Sequence, residues 1–249
     1  MLNPFLQEEI TFEPVEHKYY DKDKNVLISV SQLLHVYTKK FDEYGNIIKK
    51  CAAKEGISVA ELRQRWDDKR DRSCEFGTAV HAEIEYFINN KKIRKSPHKE
   101  IVENFKDKIA PLFKHDVFSE VLVYNKDLKI AGLSDLVEFN PENNEISIFD
   151  IKTNESLYKK SYNKLLYPLD NLDDNAINKY SIQLSMYGYL LELRGFAINK
   201  DNFKIFWVNK EKNIEIIPIQ YMKKEVIKMI NHYIFSQSFE DIATEDFFV

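Results

Sequence analysis

Ile130-Ala131-Gly132-Leu133-Ser134-Asp135 and, after a short gap, Ile148-Phe149-Asp150-Ile151-Lys152 decide the fold of this 249-residue chain. Three β-branched, apolar segments follow one another here, over residues 117–123, 129–139 and 145–152. Asn140-Pro141-Glu142-Asn143-Asn144 supplies turn chemistry between the last two, so the stretch spells a three-stranded meander. Side chains alternate along a strand, which puts Asp150 and Lys152 on one face and Phe149 and Ile151 on the other. Asp135 lies on the neighbouring strand of the hairpin. Two carboxylates and an amine therefore meet at one spot. A turn aspartate or a solvated strand end would explain each residue alone, because 31% of the chain is charged. The flanks argue otherwise. Ile146, Ile148, Phe149 and Ile151 make the last strand apolar on both faces, as in a buried central strand. A charge there is costly unless it is paired or binds a metal.

Outward from the meander the pattern is helical on both sides. Residues 10–29 alternate as a small hairpin, and Ser29 or Ser31 can cap a helix through Val36. Residues 46–55 read as a short helix closed by Gly56. Ser58-Val59-Ala60-Glu61 is a capping box that opens a helical stretch to about Ile88, with a break expected near residues 73–77. Residues 99–113 carry Ile101, Val102, Phe105, Ile109 and Leu112 at helical spacing. Residues 154–175 read as a polar loop. Residues 176–194 form a strong helix stopped by Gly195. A terminal hairpin over 203–208 and 214–219 precedes a last helix over 221–235, and the tail from Glu240 reads as partly loose. Helices before and after a central sheet give an α/β or α+β class.

At this length one large domain or two small ones fit, and no boundary stands out, so a single domain over 1–249 is expected, with an N-terminal hairpin and helical elaboration over about 1–70. With 44% hydrophobic residues a sizeable core can form. No run of 18 apolar residues suggests a membrane span, and no signal peptide is visible, so a cytoplasmic location is expected. Two cysteines, Cys51 and Cys74, are too few for a disulfide framework or a four-cysteine cluster. The net charge of −4 argues against broad nucleic-acid coating, although basic residues cluster locally. One cluster is Lys39, Lys40, Lys49, Lys50 and Lys54, and a second is Lys91, Lys92, Arg94, Lys95 and Lys99. The third, Lys159, Lys160 and Lys164, begins seven residues after Lys152 and is the best placed for a phosphate contact.

Two further groups matter. Gly77, His81 and Glu85 recur every four residues and share a helix row. A helical glycine costs about 1 kcal/mol against alanine, so a close approach by a backbone or ligand is expected at Gly77. Gln183 and Tyr187 share a face of the strong helix, beside the apolar stripe of Ile182, Met186, Tyr189 and Leu190.

Gly-Thr-x-x-His-x-x-Ile-Glu from Gly77, Gly-x-x-Asp ending at Asp135, Asp-x-Lys at Asp150 and Gln-x-x-x-Tyr at Gln183 occur in that order. Together they resemble the RecB-type branch of the PD-(D/E)xK nucleases, over residues 77–187. His17-Lys18-Tyr19-Tyr20 and Ser29-Val30-Ser31-Gln32-Leu33-Leu34 look, more loosely, like the opening of phage and prophage members. The resemblance implies a restriction-endonuclease-like core and a DNA nuclease, most simply an exonuclease in recombination, repair or phage DNA processing. The alternatives are a sequence-independent endonuclease or a non-catalytic nucleic-acid-binding subunit. It implies metal ligation by His81, Asp135, Asp150 and the Ile151 carbonyl, and catalysis by Asp135, Asp150 and Lys152. Gln183 and Tyr187 would meet the substrate; Lys159 and Lys160, by their nearness to Lys152 in the sequence rather than by the resemblance, are the candidates for its phosphates. Glu120 matches a softer acidic position, and Glu85 completes the histidine row. Ser134 stands where the family name has proline. Mg²⁺ or Mn²⁺ is the implied cofactor, without an iron–sulfur cluster. DNA is the implied partner, joined by an annealing protein, a helicase, another recombination protein or further copies of the chain.

Overall fold

The N-terminal alternation forms three strands rather than one hairpin: β1 (Ile10–Glu13), β2 (Lys18–Asp21) and β3 (Val26–Ser29), paired antiparallel in that order. The structure is a computed structural model that describes residues 3–6, 9–39 and 45–245, with side chains to Gln237. Lys40 of the first basic cluster and the last four residues of the tail lie outside the described residues. Ser29 caps α1 (Val30–Val36): its hydroxyl accepts from the Gln32 N–H while the Gln32 side chain accepts from the Ser29 N–H.

Next comes α2 (Asn46–Glu55), closed by Gly56 at φ 68, as its position after the last apolar turn requires. The following helix, α3, is continuous over Val59–Asn90, so the expected break near residues 73–77 does not occur. Ser73 turns its hydroxyl back onto the Lys69 carbonyl and so stays within the helix. Gly77 is held by packing: a Cβ there would lie 3.1 Å from Thr153 Oγ1. Conversely, α4 stops early, at Lys99–Lys108, and a 3-10 turn over Ala110–Leu112 replaces its expected end. Pro111 has no N–H to continue the helical ladder.

The meander forms as its alternation dictates: β4 (Asp116–Asn125), β5 (Ile130–Asn140) and β6 (Glu145–Lys152), antiparallel throughout. After the loop comes α5 (Ala176–Leu193), capped by Asn175, then the short β7 (Ala197–Ile198). The hairpin of β8 (Lys204–Val208) and β9 (Ile214–Pro218) follows. The last helix, α6 (Lys223–Glu245), runs ten residues beyond Phe235 and takes in the start of the segment expected to be loose.

Nine strands among the described residues form one mixed sheet, ordered β1-β2-β3-β5-β6-β8-β9, with β4 on β5 and β7 on β6. Alternation along the central strands feeds two cores. Val137, Ile146 and Ile148 pack with α1, α5 and α6 on one side. Leu136, Phe149 and Ile151 pack with Val80, Ile84 and Phe105 from α3 and α4 on the other. The class is therefore α+β, a large mixed sheet flanked by helices. No helix among the described residues is long and apolar enough to cross a membrane.

Candidate metal centre

Two strands share one edge of β5. β3 pairs with its start, at Ile130 and Ala131, in parallel. β6 pairs with its end, from Leu136 to Asn140, antiparallel. Residues 132–135 lie in the fork between them. At the upper end of the fork Gly132 admits the Tyr187 ring so closely that a Cβ would stand 2.7 Å from Cε1. At the lower end the β5–β6 ladder stops at Leu136–Phe149, and the next free donor on β6, the Ile151 N–H, is taken by Asp135 Oδ2 at 2.7 Å. A side chain thus replaces a ladder bond, which fixes the carboxylate.

On the opposite edge, the β4–β5 register is constant but the pairing is interrupted at Glu120, whose φ is 49°. The left-handed region costs a residue with a Cβ roughly 1–2 kcal/mol. Such an outlier is a pointer to a site. Here it brings Glu120 together with Asp135 and His81, and one ligand atom of each lies within 4.8 Å of the others. His81 comes from α3, its Nδ1 3.5 Å from Asp135 Oδ2.

Beside this group, on β6, Asp150 is 2% exposed and its Oδ2 lies 2.5 Å from the Lys152 ammonium. The contact is one of charge rather than a well-directed hydrogen bond, and it leaves Oδ2 as a buried acceptor without a hydrogen-bond partner. Burial, then Asp135, push the Asp150 carboxyl up to about 6 against the pull of Lys152. Burial, then Asp135, Glu85 and Asp150, push Glu120 up to about 8. Four acids crowded this way repel one another, and a cation between them relieves both repulsion and proton binding. Burial alone would lower the Lys152 pKa, but Asp150 and Asp135 outweigh it and raise it. Lys152 is therefore held as an ammonium. The donor set, carboxylate oxygens with one imidazole, fits a hard divalent cation such as Mg²⁺ or Mn²⁺.

The structure brings His81, Glu120, Asp135, Asp150 and Lys152 to one place, with Glu85 close enough to act on Glu120. Glu120, the softest of the expected acids, belongs to the tightest group, whereas Asp150 faces Lys152. Gln183 Nε2 donates to the Tyr187 hydroxyl at 2.9 Å. Tyr187 is buried, and burial raises its hydroxyl pKa well above the ordinary value. It is a wall of the fork rather than an open contact surface. Lys159 and Lys160 are exposed on the loop after β6, and no described contact joins them to the acids. Lys164 pairs with Asp173, Lys99 with Glu103, and Arg94 stacks on Tyr86.

Sequence reasoning missed Tyr180, whose ring centroid lies 4.9 Å from Lys152 Nζ. Its signal was present: Tyr180, Gln183 and Tyr187 form one row at i, i+3 and i+7. Neither the protein-family models nor the curated proteins compared with the chain match it.

Proposed function

We propose that the chain is a metal-dependent DNA nuclease with a restriction-endonuclease-like core, of the RecB-type PD-(D/E)xK kind, and that it works from DNA ends. The observation that carries this reading is the β5 fork, where His81, Glu120 and Asp135 converge beside the Asp150–Lys152 pair. A divalent cation held there supplies charge that offsets the negative charge developing on the phosphate oxygens.

The chain's own residues account for the rest. Asp135 is pinned by the Ile151 N–H, so its free oxygen is preoriented. Lys152, kept protonated by Asp150 and backed by the Tyr180 ring, offers a compact ammonium to a phosphate oxygen and to an attacking water. Its role is orientation and charge, not proton abstraction. Tyr187, locked against Gly132, holds Gln183 at the rim of the fork.

The test is the purified protein on end-labelled linear DNA and on covalently closed circles, with Mg²⁺ or Mn²⁺ and with chelator. Metal-dependent release of nucleotides from linear DNA is expected, with circles spared. Linearised circles would replace the end-dependent mode by an endonuclease. Inertness on both substrates with both metals would overturn the reading.

A further inference from the structure

The acidic centre adjoins a basic cleft. Thr153, which follows Lys152, touches Gly77 one helical turn before His81, and it also lines a cavity of about 460 Å³. Lys69 and Arg72 of α3 and Lys210 of the β8–β9 turn line the same cavity. Glu155 sits among them, with Lys69 Nζ at 2.5 Å and Lys210 Nζ at 2.8 Å. Those two ammoniums, Lys210 first, hold the Glu155 carboxyl down to about 2, so it is ionised at any working pH. An internal carboxylate therefore occupies the place of an external anion. Arg72 has no ion-pair partner among the described residues. Tyr158, three residues after Glu155 and outside the cavity wall, stands edge-on to Trp207, ring centroids 5.9 Å apart, and keeps 62% of its surface exposed. Trp207 is itself tied to the Asn154 carbonyl at 2.9 Å.

We propose that this cleft is a subsite for single-stranded nucleic acid flanking the scissile phosphate, with Lys69, Arg72 and Lys210 on its phosphates, Tyr158 under one base, and Glu155 as a built-in competitor. It rests on the nuclease reading for its position relative to the chemistry. The cavity has the size of a small-ligand site, enough for a nucleotide or two. An exposed ring beside a row of cations serves an unpaired base, because in a duplex the base faces are covered by stacking. The net charge of −4 confines such binding to a local patch.

The experiment is titration of a labelled oligothymidylate, and of a hairpin duplex of the same length, in Ca²⁺ over a range of salt. The proteins are the wild type and the Arg72→Ala, Tyr158→Ala and Glu155→Gln variants, each first checked for a native circular dichroism spectrum. Arg72→Ala should weaken single-strand binding and reduce the logarithmic salt slope by about 0.7, the share of one phosphate contact. Tyr158→Ala should weaken single-strand binding roughly fivefold or more and leave the duplex untouched. Glu155→Gln should tighten single-strand binding by freeing two ammoniums. Unchanged single-strand affinity in Arg72→Ala and Tyr158→Ala, equal losses on duplex, or weaker binding by Glu155→Gln would overturn the proposal. Mg²⁺-dependent cleavage is assayed in parallel. Cleavage without these binding effects sinks the subsite and keeps the nuclease, whereas these binding effects without cleavage do the reverse.

Discussion

Asp150 and Lys152 are two residues apart on β6, yet they carry different burdens. On the proposed nuclease reading Lys152 meets charge that grows only as the phosphate reacts, so Lys152→Ala should lower kcat by roughly 10²–10³ with little change in metal affinity. Single-turnover cleavage and Mn²⁺ calorimetry check both halves, and a variant that loses metal binding along with rate would reverse the assignment. Asp150 also neutralises Lys152 inside the protein. Asp150→Asn, which mimics the protonated acid, should abolish cleavage while leaving the melting temperature near neutral pH unchanged or higher, because burial and Asp135 already favour the neutral carboxyl. His81→Ala should raise the metal concentration needed for activity more than it lowers stability; a collapsed melting temperature with unchanged metal demand would make His81 a packing residue.

Among the elements, the meander was legible because alternation and the Asn140–Asn144 turn are local signals. The stops at Gly56 and Gly195 were legible for the same reason. The fork was not, since it arises from β3 and β6 sharing an edge of β5, and pairing between distant segments leaves no local pattern. Glu120 illustrates the limit: nothing in its neighbours announces a left-handed backbone in mid-strand. The acids and lysine were readable as types and spacings, but their division into a three-ligand group and an ion pair was not. Gly132 tests the packing of α5 on the fork. Gly132→Ala drives a methyl into the Tyr187 ring and to 3.0 Å from Val30 Cγ2, which should destabilise the protein by about 1–3 kcal/mol. Chemical denaturation reads this directly. Pairing it with Tyr187→Leu, which removes the ring, should recover part of the loss; purely additive losses would show that the two do not meet.

At the scale of the whole molecule the crowded acids make stability depend on pH and on cation. Glu120 and Asp150 have folded pKa values of about 8 and about 6, above ordinary values of 4.5 and 3.8. Protonation thus favours the folded chain: the contribution is full below about pH 4 and is lost as pH rises towards 8. In chelator the melting temperature should fall across that window, and Glu120→Gln should flatten its upper half. Mg²⁺ should oppose the fall, because it replaces the protons on the same oxygens. A flat profile in chelator would mean that the acids are better solvated than their burial implies.

The parallel pairing of β3 with β5 also sets an order of events during synthesis. Ile28 and Ser29 meet Ile130 and Ala131, about a hundred residues further along the chain. At translation rates of about 5–20 residues per second, the N-terminal meander waits roughly 5–20 s for its neighbour. Meanwhile the edge of β3 is an open template for any passing strand. A ribosome stalled before Ile130 would therefore hold a nascent chain prone to wrong pairing, and release of the stall after Asn140 would let that edge close.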